Sequence, residues 1–105
     1  MAEIQIHEAA EAEYEEALER YFVRSARTAE RFEKAVTAAL DKIRDNPLLF
    51  GECDDHHRFC LLKRFPYSIL FRVEGEQVYV IALAHAHRKP AYWADRTFDA
   101  PPGIS

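Results

Sequence analysis

The stretch Val78 to His85, VYVIALAH, restricts the fold more than any other part of this chain. In an extended strand, Val78, Val80, Ala82 and Ala84 point to one side, and Tyr79, Ile81, Leu83 and His85 to the other. Both sides are almost wholly apolar, so the strand belongs at the centre of a sheet, with one face meeting helices.

Its neighbours are legible in the same way. Glu74-Gly75-Glu76 precedes it as a tight hairpin turn, with glycine available for positive φ. Before that, strands are expected at about Arg58–Arg64 and Ser68–Val73, turned by Phe65-Pro66-Tyr67, and Gln77–His85 is the third of the set. Upstream, Ala10, Tyr14, Ala17, Leu18, Tyr21 and Phe22 recur at helical spacing, with Glu11, Glu15, Glu16 and Glu19 opposite. This helix starts near His7-Glu8, where Glu8 and Glu11 suit the positive end of the helix dipole. Ser25 to Thr28 interrupts the pattern, with Thr28 expected as the next N-cap. A second stripe, Ala29, Phe32, Val36, Ala39, Leu40 and Ile43, runs to Asp45, and Asn46-Pro47 ends it. Two helices joined so closely should pack as an antiparallel hairpin. Glu3-Ile4-Gln5-Ile6 alternates as a short strand, and Leu48, Leu49 and Phe50 are expected to plug the edge of the core. The fold class is therefore α+β, a small sandwich of an N-terminal strand and helical hairpin on an antiparallel β-meander.

With 105 residues, 49% of them hydrophobic and 30% charged, the chain suits one soluble domain, expected over residues 1–96 with a frayed tail at 97–105. No apolar run approaches the ~20 residues of a membrane helix, and the acidic N-terminus is unlike a signal peptide. Cys53 and Cys60 read as reduced thiols in a cytoplasmic protein, with a bridge between them the less favoured alternative. The net charge of −4 is unevenly divided, at −7 over residues 1–57 and +4 over residues 58–96. Such a balance argues against indiscriminate nucleic-acid binding but leaves room for a local basic face.

The order of elements, the AAEAEYEEALERY opening of the first helix, the LLKRFPYSILFRV double strand and the closing VIALAHAHRKPAYW together resemble the RelE/ParE superfamily of bacterial type II toxins. The resemblance covers roughly residues 3–96. It implies a growth-inhibiting toxin neutralised by a cognate antitoxin, acting without a cofactor. RelE-like members resemble ribosome-dependent mRNA endoribonucleases, whereas ParE-like members resemble inhibitors of DNA gyrase.

The residues bear on that choice. Metal-free RNA cleavage needs a group to activate a 2′-OH, cations for the phosphate and an acid for the leaving oxygen. Arg72, His85, His87, Arg88 and Tyr92 are the candidates, and the two histidines, two apart in an extended segment, should project to one side. The plainer reading has His85 hydrogen-bonded at the sheet's end and His87 solvated. In RelE-like nucleases an arginine commonly follows the tyrosine opening the middle strand, where this chain has Ser68. The preceding strand carries Phe59, Cys60, Leu61 and Leu62 where basic residues are common.

The favoured expectation is therefore ParE-like, with DNA gyrase as target. Lys63, Arg64, Arg88, Lys89, Tyr92 and Trp93 would then bind target or antitoxin, since arginine and aromatics concentrate binding energy at interfaces. The alternatives are the ribosome-directed nuclease using Arg72, His85, His87 and Tyr92, and a non-toxic module that only binds antitoxin. Simpler roles compete at single positions. Arg72 pairs with Glu74 or Glu76, Trp93 staples the C-terminal segment to the sheet, and Tyr67, Phe71 and Tyr79 pack. Cys53, Asp54, Asp55, His56 and His57 are zinc-ligand types, but adjacent residues rarely converge on one ion, so no metal is expected.

Overall fold

The computed structural model describes residues 2–98. Strand β1 (Glu3–Ile6) leads into helix α1 (Glu8–Arg24), helix α2 (Ala26–Asp45) and a 3₁₀ turn (Pro47–Leu49). Strands β2 (Arg58–Leu61), β3 (Tyr67–Glu74) and β4 (Gln77–His85) complete the fold. The four strands form one sheet in the order β1-β4-β3-β2, so β4 lies inside it, as its two apolar faces require. β2, β3 and β4 make the antiparallel meander, and β1 adds to β4 in parallel, pairing Glu3–Ile6 with Gln77–Val80. The sheet is therefore mixed.

The helical hairpin is tighter than expected. His7 caps α1, its Nδ1 accepting from Ala9 N–H at 3.0 Å. Ser25 ends α1 and caps α2 by itself, its hydroxyl accepting from Thr28 N–H at 3.3 Å. The cap is thus Ser25 rather than Thr28, because the only non-helical backbone between the helices is at Ser25 (φ −170°, ψ 124°). Gly75 turns the last hairpin at φ 62°, where a side chain would be strained.

Two apolar clusters flank the sheet. On the helix side, Ala10 and Ala17 of α1 and Phe32, Val36, Ala39 and Ile43 of α2 meet Ile69, Phe71, Val78, Val80 and Leu83. On the other side, Leu70, Ile81, Ala82 and Trp93 form a smaller cluster. A bulge between Leu70 and Phe71, opposite Ile81, lets Ile81 and Ala82 both join this outer cluster. Tyr67 and Phe71 are buried as expected, Tyr67 among the rings of Tyr21 and Phe32.

Two expectations fail around the meander. β2 stops at Leu61 rather than Arg64, because Leu62 N–H bonds back to the Tyr67 carbonyl and Arg64 turns the chain at φ 66°. Leu48 and Leu49 do not plug the core; they are 65% and 80% exposed, pointed outward by the 3₁₀ turn. Phe50 alone does so, edge-on to Phe71. The tail expected from 97 onward falls mostly outside the described residues. Within them, Phe98 packs on Tyr79 and His7.

Urea unfolding of three variants checks this layout. Phe32→Ala should cost about 3–5 kcal/mol and Ser25→Ala about 1 kcal/mol, whereas Leu49→Ser should change stability by no more than ~0.5 kcal/mol.

Candidate functional site

Helix α1 crosses β4, and one glutamate of the helix organises the crossing. β1 ends at Ile6, and its last link to β4 is His7 N–H to the Val80 carbonyl. Beyond Val80 that edge of β4 has no neighbouring strand. Glu13, between the buried Ala10 and Ala17 on α1, reaches it and accepts from Leu83 N–H at 3.1 Å. Arg96 forks onto both Glu13 oxygens at 2.8 and 3.0 Å and also donates to the Ile81 carbonyl at 3.1 Å. The Tyr92 hydroxyl donates to the same carboxylate. A helix glutamate and a C-terminal arginine thus satisfy an exposed sheet edge.

The charges respond accordingly. Burial opposes ionisation of Glu13, but the hydrogen bonds from Arg96, Tyr92 and Leu83 outweigh it and hold the carboxyl below its ordinary 4.5. Tyr92 moves strongly the other way: burial first, and then the Glu13 carboxylate, push its hydroxyl well above 10.0. The guanidinium groups of Arg88 and Arg96 both approach its ring, 3.9 Å and 5.1 Å from the centroid.

Past β4 the chain makes successive tight turns from His85 to Arg96. Trp93 is buried in the outer cluster, 7% exposed, with its ring 4.7 Å from that of His57. It staples the segment to the sheet. His57 is itself buried, and its Nδ1 lies 3.0 Å from both oxygens of Asp54. Asp54 also accepts from the backbone N–H groups of His56 and His57. The run of zinc-ligand types is therefore engaged in building a turn, and among the described residues no three of them gather as a metal site.

The residues singled out from the sequence fall into separate places. Arg72 is bound to Glu74 at 2.6 Å and lies over the Tyr79 ring. It is five residues along β3 from Tyr67, which faces His85, and so about 17 Å away. His85 and His87 do come together, ring centroids 5.2 Å apart, but through a turn in which the His85 Nδ1 accepts from His87 N–H. That acceptance places the His85 proton on Nε2. Burial, His87 and Arg20 hold His85 below its ordinary 6.5. Both histidines line a groove of about 310 Å³ with Glu13, Glu16, Arg20, Tyr67, Leu83 and Arg88.

On the outer face a second groove of about 370 Å³ runs over Phe59, Leu61, Leu70 and Ala84, bordered by Arg88, Lys89, Tyr92 and Trp93. Leu61 stands 69% exposed there. Lys63, Arg64, Arg88 and Lys89 are exposed, and among the described residues none is in an ion pair. Sequence reasoning missed Glu13, Arg96 and the His57–Asp54 couple. The available signal was a glutamate within the apolar stripe of α1, one turn from Ala10 and from Ala17.

A family model described as ParE toxin of type II toxin-antitoxin system, parDE, matches residues 4–90. The chain belongs to the ParE toxin family. A solved structure described as the chromosomal ParDE TA system from P. aeruginosa has a similar fold, with a TM-score of 0.64. It is 20% identical, over 83% of this chain and 98% of that one, a likeness of fold alone. No curated protein matches the chain. The family match of this ParE toxin includes Glu13 but ends before Tyr92 and Arg96, so the partners that engage the Glu13 carboxylate lie beyond it.

Because Glu13 has a lowered pKa in the fold, its ionised form adds stability above the unfolded value. That contribution disappears as pH falls through the folded value. Glu13→Gln should cost roughly 2–4 kcal/mol at pH 7, and the gap from the parent should narrow below about pH 4. Denaturant melts between pH 3 and 7 check this; a gap independent of pH would contradict it.

Proposed function

We propose that this ParE-family protein is the toxin of a type II toxin–antitoxin pair, acting in the cytoplasm by binding DNA gyrase and held inactive by a cognate antitoxin. The family match supports the system. The reading as a binder rather than a nuclease is supported chiefly by Tyr92, whose hydroxyl is bound to Glu13 and held protonated far above neutrality. A general acid works best with a pKa near the working pH. Arg72, engaged by Glu74 on another part of β3, adds to the same argument. What remains is a contact surface of exposed cations beside an apolar groove, and no step on it calls for a cofactor.

That groove, with Leu61 exposed and Arg88 and Lys89 on its border, suits an antitoxin segment carrying both apolar and acidic residues. A segment disordered on its own would order as it binds, covering the surface needed for the target.

One observation favours a second reading, as a ribosome-directed nuclease: His85 and His87 share a groove with Arg20 and Arg88. A single pair of assays separates the two. The purified protein should inhibit supercoiling by gyrase or accumulate cleaved DNA, antitoxin should reverse it, and mRNA on translating ribosomes should stay intact. Lys89→Glu should weaken gyrase inhibition about tenfold, whereas His85→Ala with His87→Ala should leave it within about threefold. Cleaved mRNA, lost in the double histidine variant, would establish the nuclease instead. Normal growth of bacteria expressing the chain alone would favour a non-toxic antitoxin-binding module.

A further inference from the structure

Six of the fourteen Lys and Arg residues of this acidic protein are gathered at one end of the sheet. Arg20 and Arg24, near the end of α1, line a hollow with Tyr21, Tyr67 and His85. His87 and Arg88 continue it past the end of β4. Lys63 and Arg64 lie in the turn between β2 and β3, which is tied to the same place by Ala86 N–H donating to the Pro66 carbonyl at 2.8 Å. With Lys89, the end of one helix, one β-turn and the segment after β4 bring together six Lys or Arg side chains and two histidines, in a protein of net charge −4. Two carboxylates line the groove there. Glu13 is engaged by Arg96, and Glu16 approaches Arg20 at 3.7 Å. The other five cations are in no ion pair among the described residues.

We propose that this basic end is a contact site for the phosphodiester backbone of duplex DNA, so that the protein binds DNA directly as well as any protein target. Guanidinium and ammonium groups spread over three chain segments match a row of phosphates, which needs positive charge and donors but no apolar anchor. His85, neutral with its proton on Nε2, adds a donor beside them. Duplex is favoured over single strand because single-strand sites present aromatic faces to the bases. Here Tyr67 and Trp93 are buried and Tyr92 lies beneath Arg88. Among the described residues Phe22 is the one Phe, Tyr or Trp ring that stands well exposed, too little for a stacking track. An acidic peptide fits less well, because Arg20 and Arg24, near the end of α1, line a hollow apart from the apolar groove.

Fluorescence anisotropy of a labelled 20-base-pair DNA duplex with the full chain, in the absence of gyrase, tests the proposal. Binding at about 1–100 µM is expected at low salt, weakening about tenfold for each doubling of salt if some four phosphates are contacted. Arg20→Gln with Arg24→Gln, and separately Lys63→Gln with Arg64→Gln, should each weaken binding at least threefold, with folding checked by circular dichroism. Arg31→Gln with Lys34→Gln, on α2, should not. Failure to bind, or equal loss in the α2 variant, would overturn the proposal. So would tighter binding of single-stranded RNA, or displacement of the duplex by polyglutamate at equal charge. Because gyrase is absent, the result stands apart from the gyrase assay, and either reading can fail without the other.

Discussion

The ion pair between Glu13 and Arg96 closes an edge that the strands leave open. β1 is four residues long and covers β4 only as far as Val80. The five residues of β4 that follow would otherwise show backbone donors and acceptors to solvent beside an apolar core, a template for unwanted pairing. Glu13 supplies an acceptor to Leu83 and Arg96 a donor to Ile81, so two side chains stand in for a strand. A carboxylate this enclosed would be costly alone, and the forked guanidinium makes its charge tolerable.

The same pair decides what the closing segment becomes. By drawing Arg96 back to α1, it holds residues 86–95 against the sheet, with Trp93 filling the outer cluster and Tyr92 in contact with two guanidinium groups. A tyrosine held this way is a poor proton donor and a good structural strut. The exposed face beside it is left with Arg88 and Lys89 bordering an apolar groove. Closure of the β4 edge and the engagement of Tyr92 thus have one origin, a glutamate on the buried side of a helix.

Much of this was legible in the residues. The two-sided apolar pattern of Gln77–His85 placed that strand inside the sheet, Gly75 marked its hairpin, and the two apolar stripes announced the helical pair. Trp93 as a staple and Arg72 paired with Glu74 were among the simpler alternatives, and the structure has both. Leu48 and Leu49 were misread because an apolar run next to a helix resembles core, yet a single 3₁₀ turn points them outward. Ser25 was passed over as a cap because one residue ending a helix and starting another leaves no gap in the pattern. Glu13 went unassigned because its partner Arg96 lies 83 positions away and no local pattern links the two.

By itself, the sequence determined the α+β class, the helical hairpin, the interior place of β4 and the uneven distribution of charge, since each is a local pattern of polarity along the chain. Only the tertiary structure decided the parallel pairing of β1, the meeting of Glu13 with Arg96 across 83 positions, and the gathering of cations from three segments at one end of the sheet. Those depend on which distant backbone groups are left unpaired once the core has formed. No periodicity along a single chain reports that.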